Sequence, residues 1–480
     1  MVAIALLWHF GVSPIEPSAE FGGRFAGLTC LMFGGLHHYK SRTSGDTITK
    51  GTRLVTPKKF NSLVKGDGIG IPFTTSGWGK RSDQKPGLMR IRASDHSSHI
   101  SIVGDTGTGK SAITHTLIGQ IREQGTDAAI LYDPSGEYYK YWGNQDTDIL
   151  LYPFAKNSVY WSLTEEITCA ADAQALAKSF IPDKADGGDS FWTIAPRKIL
   201  AFLLMELKRQ NGSTTDLIRW IADGEYLTEL VSGTALEPLI DPGAASQRTG
   251  VLASLSVISE TLELLPPNDR KRKVFSFREW AKERKGFIFI PTAGTRERVA
   301  MKPLISAMLD TAFNSLMEKV DGRGCFIFVD EMFSLSRLPS LETSLYEGRK
   351  YGMKFCLGFQ GRSQILALYG KSGEAILSCS TTKVFLRTSD YNAAEFCSQG
   401  IGKPEKSKSV ETFSSSLLSN GRDSVSTRED LHTDYLVIPN EIQVLPKLQG
   451  YLAYDGYAVK FAFPYPKLTE RNKFPETADD

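Results

Sequence analysis

The 480-residue sequence is short of cysteine, of excess charge and of long apolar runs. Its six cysteines lie far apart and form no CxxC pair, so the sequence predicts neither a zinc cluster nor a disulfide framework and favours a reduced, intracellular chain. Lys and Arg number 56 against 54 Asp and Glu, and the formal net charge of +2 excludes attraction of nucleic acid by the molecule as a whole. Any such partner would need a local basic surface.

Two apolar runs open the chain, residues 1–10 and 25–36, and neither reaches the roughly 20 apolar residues that a membrane-spanning helix needs. Arg24 and the polar residues 37–40 flank the second run, as they would at a lipid interface. Residues 1–48 are therefore predicted to form an N-terminal apolar segment. A buried hairpin and a shortened membrane anchor are the two alternatives for its structure.

The rest of the chain has a globular composition, with 41% hydrophobic and 23% charged residues overall. From residue 99 a strand, a helix and a second strand follow each other closely, which predicts a βαβ unit and a parallel sheet. Strand patterns vanish after residue 163, where helical periodicity takes over, and return at residue 286. The sequence predicts an α/β domain in two parts, residues 49–162 and 269–480, interrupted by an all-α inserted domain, residues 163–268.

Three shorter stretches carry local signals. Residues 51–60 predict a short strand and then a helix capped by Thr56, with Pro57 at its first position. The Ser-rich residues 406–427 predict a mobile hairpin or loop, and residues 450–463 alternate like a hairpin at the edge of a sheet.

The sequence GDTGTGKS directly follows the first strand of the βαβ unit and directly precedes its helix. This is the G-x-x-x-x-G-K-[ST] pattern, whose backbone N–H groups and helix N-terminus bind phosphate. Lys110 is predicted to reach the β- and γ-phosphates, and the Ser111 hydroxyl to ligate Mg²⁺. The predicted nucleotide-binding residues are Gly104, Asp105, Thr106, Gly107, Thr108, Gly109, Lys110 and Ser111.

A second motif, FIFVDE, ends a strongly apolar strand in Asp330 and Glu331. An Asp at the carboxyl end of a parallel strand beside the phosphate loop is placed to hold Mg²⁺. The Glu that follows is placed to orient and deprotonate an attacking water, which is typical of a hydrolysing motor. The two motifs together predict an ATPase with ATP and Mg²⁺ as its ligands.

Four further features are open to two interpretations each. Gln360 ends the next strand, where it is either a sensor of the γ-phosphate or a strand-end cap. Arg349 is either an arginine finger for another subunit or a solvated surface residue. Asp133 is a site neighbour or a loop initiator before Pro134. The basic run at residues 270–273 is a solvated face or a contact with nucleic acid.

These pieces in this order resemble the type IV secretion coupling proteins, the inner-membrane DNA-pumping ATPases of bacterial conjugation. The similarity runs from about residue 49 to residue 466, and the phosphate loop alone would not be specific. The matching segments are residues 52–60, 104–111, 132–138, 190–192, 326–331, 348–352, 358–360 and 386–390.

The resemblance implies a RecA-like P-loop NTPase fold with a central, mostly parallel twisted sheet and an inserted all-α domain. It also implies a homo-hexamer around a DNA channel, in which Arg349 serves the ATP of the neighbouring subunit. The implied partners are DNA, the relaxosome with its relaxase or a secreted protein substrate, and components of the secretion channel. The implied location is the cytoplasmic side of the bacterial inner membrane. The sequence departs from the family at its N-terminus, because members usually begin with two full membrane helices.

Two other functions fit the same residues. One is a soluble hexameric DNA translocase of the chromosome-segregation or repair type, which shares the motor but not the secretion partner. The other is a substrate-docking adaptor that binds ATP mainly to assemble, although such a site would not need Glu331.

Overall fold

The computed structural model of the chain describes residues 47–74, 86–184, 190–268, 272–318, 323–414 and 424–474. These residues divide into two compact units. The smaller unit holds residues 47–50, 405–414 and 424–434, and the larger unit holds the other described residues. The predicted N-terminal apolar segment lies outside the described residues except at its end.

Seventeen strands form in the described residues. In chain order they are β1 Thr47–Lys50, β2 Arg53–Val55, β3 Gly70–Phe73, β4 Gly87–Arg90, β5 Ile100–Val103, β6 Ala128–Asp133, β7 Ile149–Leu150, β8 Tyr160–Trp161, β9 Val274–Phe275, β10 Phe287–Pro291, β11 Cys325–Val329, β12 Met353–Phe359, β13 Thr382–Leu386, β14 Glu405–Ser414, β15 Ser424–Thr433, β16 Gln449–Tyr454 and β17 Tyr457–Ala462.

Fifteen α-helices accompany them in the same residues. In chain order they are α1 Pro57–Val64, α2 Lys110–Gln124, α3 Glu137–Trp142, α4 Ala170–Phe180, α5 Phe191–Arg209, α6 Thr214–Ala222, α7 Gly224–Val231, α8 Ala245–Glu263, α9 Phe277–Glu283, α10 Thr295–Leu316, α11 Leu341–Glu347, α12 Arg362–Tyr369, α13 Ser372–Ser378, α14 Tyr391–Ile401 and α15 Pro439–Gln443. Short 3₁₀ helices include Ala93–Ser98 and Gly348–Tyr351.

The larger unit is organised around one ten-stranded sheet in the order β2-β17-β16-β13-β5-β12-β11-β6-β10-β7. Every pair from β13 to β7 is parallel, and β16 is antiparallel to both β13 and β17. The predicted α/β fold with a mostly parallel sheet is therefore confirmed. All residues of β6 and β11 are buried, as expected for central strands covered on both faces.

The start of the larger unit follows the sequence pattern closely. Strand β2 leads into α1, where the side chain of Thr56 accepts a hydrogen bond from the backbone N–H of Lys59 and Pro57 occupies the first helical position. The hairpin predicted at residues 450–463 also forms, from β16 and β17. Its position at the sheet edge was predicted wrongly, because β2 pairs in parallel with β17 and lies outside it.

The described residues between β8 and β9 form helices and no strand, as the helical periodicity predicts. These helices belong to the same compact unit as the sheet. One tie is the buried carboxylate of Asp310 on α10, which accepts hydrogen bonds from Ser179 on α4 and from Ser340. The inserted all-α domain of residues 163–268, as a domain with its own boundaries, stays a prediction.

In the smaller unit β14 pairs antiparallel with β15 and with β1. The Ser-rich stretch thus takes the hairpin alternative, with the arms Glu405–Ser414 and Ser424–Thr433 in register. Among the described residues of the whole chain, no helix is both long enough and apolar enough to cross a bilayer.

Candidate nucleotide-binding site

The glycine-rich loop connects the carboxyl end of β5 to the first turn of α2. Gly107 and Gly109 have φ angles of 76° and 116°, a region that side-chain-bearing residues rarely adopt. A Cβ at Gly109 would also lie 2.8 Å from Cδ2 of Leu448. The loop therefore needs glycine at this position for both its backbone and its packing.

Lys110 is buried beneath this loop. Its Nζ donates hydrogen bonds to the carbonyl oxygens of Gly104 at 2.7 Å and Asp105 at 3.2 Å. Burial lowers the pKa of Lys110, while the negative charges of Glu331 and Asp330 act in the opposite direction. The ammonium group is thus held at the centre of the loop, where a bound phosphate would offset the cost of its burial.

Asp330, which directly follows β11, accepts hydrogen bonds from two side chains at the start of α2. Its Oδ2 accepts a hydrogen bond from Ser111 Oγ at 3.0 Å, and its Oδ1 accepts one from Thr114 Oγ1 at 3.2 Å. Carboxylate and hydroxyl oxygens are the ligand types that Mg²⁺ prefers, so this cluster fits the predicted ion. The sequence analysis missed Thr114, although it lies three residues after Ser111 and hence on the same helix face.

Glu331 lies next to this cluster and contacts Gln360 from the neighbouring strand. Gln360 Nε2 donates to Glu331 Oε2 at 3.3 Å and reaches Thr106 Oγ1 at 3.5 Å. Within the described structure Glu331 Oε1 is buried without a hydrogen-bond partner. Burial raises the pKa of Glu331, and the charge of Lys110 and the hydrogen bond from Gln360 partly oppose this rise. A water beside Oε1 would satisfy this oxygen.

The loop, Asp330 and Glu331 line a single cavity of about 480 Å³. Three lining residues, Pro134, Ser135 and Glu137, belong to the segment 132–138 on which the family resemblance partly rests. Sequence reasoning missed four others, which lie far from the motifs along the chain: Arg298, Lys447, Leu448 and Tyr465. Their sequence surroundings carry no phosphate-binding pattern, so only the folded chain brings them to the loop.

Arg349 is an exposed residue outside this cavity. It belongs to the 3₁₀ helix before β12, whereas Gln360 follows the carboxyl end of the same strand. The seven residues of β12 span about 20 Å at roughly 3.3 Å per residue. Arg349 and the phosphate loop of its own chain therefore lie at opposite ends of the sheet.

Two further candidates from the sequence make hydrogen bonds to the backbone of this chain. Asp133 is fully buried, and its Oδ2 accepts hydrogen bonds from the N–H groups of Tyr138 at 2.7 Å and Tyr139 at 3.1 Å, as expected of a loop initiator. Burial raises the pKa of Asp133 to about 7. In the basic run, which lies partly outside the described residues, Arg272 donates to the carbonyl oxygens of Ala155 and Ser158.

This geometry defines the class of protein. A strand, a glycine-rich loop and a helix are combined with an acidic pair two strands away, and a glutamine ends the strand between them. That arrangement is typical of a P-loop NTPase.

The comparison with known proteins gives the family. The sequence model of the type IV secretion-system coupling protein DNA-binding domain matches residues 86–462. The chain belongs to the type IV secretion coupling protein family, as its motifs predict. It is 28% identical over 458 residues to the coupling protein TraD of Escherichia coli strain K12, covering 90% of this chain and 61% of that protein. The chain thus spans about three fifths of the length of this relative.

Solved structures of one coupling protein, TrwB, share the fold. TrwB in complex with ADP and Mg²⁺ is 24% identical, with a TM-score of 0.75 and coverage of 92% of this chain and 100% of that one. TrwB in complex with the non-hydrolysable ATP analogue ADPNP is 23% identical, with a TM-score of 0.76 and the same coverage. At this level of identity the similarity establishes the α/β fold.

Proposed function

We propose that this protein is an ATP-hydrolysing, DNA-binding coupling motor of a type IV secretion or conjugation system. It would deliver DNA with its attached relaxase, or protein substrates, to the secretion channel. The observation that carries the proposal is the cavity in which Lys110, the Asp330 cluster and the Glu331–Gln360 pair meet. Family membership and the complexes of TrwB with ADP, Mg²⁺ and ADPNP support ATP and Mg²⁺ as the ligands.

The residues divide the work of hydrolysis among them. The N–H groups of the loop and the Lys110 ammonium bind the phosphates and neutralise charge that develops on the γ-phosphate. Ser111 and Asp330 would hold Mg²⁺, which supplies further positive charge to the phosphates when bound. Glu331 Oε1 accepts a hydrogen bond from the attacking water and takes its proton, and Gln360 fixes the other carboxylate oxygen.

The position of Arg349 supports an assembly in which one subunit completes the site of the next. An exposed arginine at the far end of β12 is too distant for its own loop but accessible to another copy. We therefore propose a homo-hexamer with ATP at the subunit interfaces and Arg349 as the arginine finger. DNA would pass through the central channel.

The partners and the location follow from the same family. We propose that the helical stretch α4–α8 faces the relaxosome and entering DNA, and that the opposite end of the molecule faces the secretion channel. The protein would act at the cytoplasmic side of the bacterial inner membrane. Membership of the coupling protein family favours this function over a chromosome-segregation or repair translocase.

The test is steady-state ATP hydrolysis by the full chain with and without DNA. We expect DNA to stimulate hydrolysis, and Lys110→Ala to abolish it while Lys58→Ala, a change at an exposed lysine outside the cavity, leaves it intact. A hydrolysis rate indifferent to DNA in a preparation shown to be hexameric would contradict the motor and favour the ATP-dependent docking adaptor.

A further inference from the structure

Tyr138 on α3 carries a hydroxyl that the proposed mechanism does not use. The residue is 1% exposed, and its hydroxyl oxygen has no hydrogen-bond partner among the described residues. An unpaired polar group in the interior destabilises a folded protein, because it gives up its hydrogen bonds to water without replacement. Phenylalanine would fill nearly the same volume without this penalty, so packing alone does not account for the hydroxyl.

The ring of Tyr138 is held in place by its surroundings. Its backbone N–H donates to Asp133 Oδ2 at 2.7 Å, and its ring packs edge-on against the ring of His115, with 4.9 Å between the ring centres. His115 is itself fully buried, and its Nδ1 accepts a hydrogen bond from Trp142 Nε1 at 3.0 Å. Because both rings are packed in the interior, the hydroxyl of Tyr138 cannot turn toward water.

This hydroxyl lies beside the candidate Mg²⁺ ligands. The side chains of Asp330 and Thr114 are close enough to influence its pKa, although it makes a hydrogen bond with neither. Burial raises the pKa of Tyr138 well above its ordinary value, and the negative charges of Asp330 and Asp133 raise it further. The hydroxyl therefore keeps its proton and is available as a donor next to the Asp330 carboxylate.

The two donors that Asp330 now has are shared with other partners. Oδ2 accepts from Ser111, whose hydroxyl oxygen is also a predicted Mg²⁺ ligand. Oδ1 accepts from Thr114 Oγ1 at 3.2 Å, and the same Oγ1 lies 3.3 Å from the carbonyl oxygen of Lys110. Since a threonine hydroxyl has one proton, it can be directed at only one of these two acceptors at a time. The carboxylate can thus take a further donor.

We propose that Tyr138 is a positioning residue for the Mg²⁺ site, whose hydroxyl donates to the Asp330 carboxylate when the metal is bound and fixes its orientation. The inference rests on the proposed binding of Mg²⁺ at Ser111 and Asp330. Carboxylates that hold a metal are themselves oriented by hydrogen bonds, and loss of such a partner weakens metal binding roughly 10- to 100-fold. The hydroxyl therefore opposes stability in the metal-free chain and favours binding in the loaded one.

Tyr138→Phe, which removes only the hydroxyl, tests these two opposite effects. In calorimetric titration of the full chain with ADP in excess Mg²⁺, the substitution should raise the dissociation constant about tenfold. The dissociation constant for ADP in EDTA should stay unchanged, because Tyr138 is not among the described residues that line the cavity. Urea unfolding of the metal-free variant should show a midpoint equal to or higher than that of the unaltered chain.

Two control variants separate the metal from the nucleotide and from folding. Tyr139→Phe removes the hydroxyl of the next residue, which interacts with Asn157 instead of Asp330, and should leave both ADP dissociation constants unchanged. Ser111→Ala alters the metal site directly and should weaken ADP binding in Mg²⁺ more than in EDTA.

Three results for Tyr138→Phe would each contradict the inference. They are normal ADP binding in Mg²⁺, an equal loss of ADP binding in Mg²⁺ and in EDTA, and a lowered urea midpoint, which would assign the hydroxyl to the metal-free structure. If the unaltered chain binds ADP but Mg²⁺ does not strengthen the binding, the Mg²⁺ site is wrong and the inference falls with it. If the unaltered chain does not bind ADP at all, the proposed function itself fails.

Discussion

A candidate functional residue lies at each end of strand β12, and the two residues differ in their surroundings. At the carboxyl end Gln360 contacts Glu331 inside a cavity lined by the phosphate loop. At the amino end Arg349 is exposed. It lies near Asp95, whose pKa is lowered mainly by a hydrogen bond from Tyr454, with a smaller contribution from the charge of Arg349. One end is a cluster of side chains that contact each other, and the other presents a cation on the surface.

The comparison indicates what one copy of the chain supplies and what it leaves to another. A single subunit provides the phosphate loop, the candidate Mg²⁺ ligands and the candidate base. Its exposed Arg349 is about 20 Å away along β12, so in the proposed hexamer this arginine would serve the site of a second subunit.

Arg349→Ala should lower DNA-stimulated hydrolysis about 10³- to 10⁵-fold, the range for loss of an arginine finger. If Arg349 acts on the ATP of the neighbouring subunit, its loss impairs that neighbour's site, and this can be detected by mixing variants. Arg349→Ala and Lys110→Ala subunits, each inactive alone, should regain part of the activity when mixed. A site that combines the loop of the first variant with the arginine of the second is intact.

The matched control mixes two variants whose changes both lie at the phosphate-loop edge of the sheet. Glu331→Gln and Lys110→Ala both alter the site of their own subunit, so their mixture contains no intact site and should stay inactive. Activity that returns in this control mixture would contradict the proposed role of Arg349 at the site of another subunit. So would a mixture of the Arg349→Ala and Lys110→Ala variants that stays inactive.

Glu331→Gln should lower the rate about 10²- to 10⁴-fold with ADP binding retained, as expected for loss of a general base. The pH profile sharpens the assignment. Burial raises the pKa of Glu331, and the base acts only when ionised, so the rate should fall as the pH drops through this raised pKa. Gln360→Ala removes a hydrogen bond that lowers the pKa, and the acid limb should therefore move to higher pH. If the acid limb of the pH–rate profile does not move in Gln360→Ala, Gln360 does not influence the pKa of Glu331.

The site motifs at the carboxyl end could be predicted because each is a short, continuous pattern. Gly104 to Ser111, the pair Asp330–Glu331 and Gln360 all stand next to strands that the apolar pattern reveals. The parallel sheet then brings strand ends together at one edge. The fold class and the family could be recognised for the same reason.

The other side of the cavity could not be predicted from local patterns. Leu448 and Tyr465 reach the phosphate loop because β16 pairs with β13, and this long-range pairing has no local signature. The edge position of the β16–β17 hairpin was predicted wrongly for the same reason. The partner β2 is three residues long and lies about 400 residues earlier in the chain.

The smallest effect in the comparison concerns stability. Asp133, at the buried carboxyl edge, accepts two backbone N–H groups, and Asp133→Ala would leave both without a partner. The expected loss is about 1–3 kcal/mol of unfolding free energy. Asp95, at the amino end, has 32% of its side chain exposed, so Asp95→Ala should cost about 0–1 kcal/mol, because water replaces its contacts with Arg92 and Tyr454.

Urea unfolding of the two variants at one pH gives the test, with the slope of the transition as the check that both unfold alike. The direction in which stability changes with pH provides a second test. The folded-state pKa of Asp133 is raised to about 7, so the protein should lose stability as the pH rises toward 7, and Asp133→Asn should lose less. Equal costs for Asp133→Ala and Asp95→Ala would mean that the two ends of the sheet do not differ in burial as the structure has them. A larger cost for Asp95→Ala would point to a structural role for the surface next to Arg349.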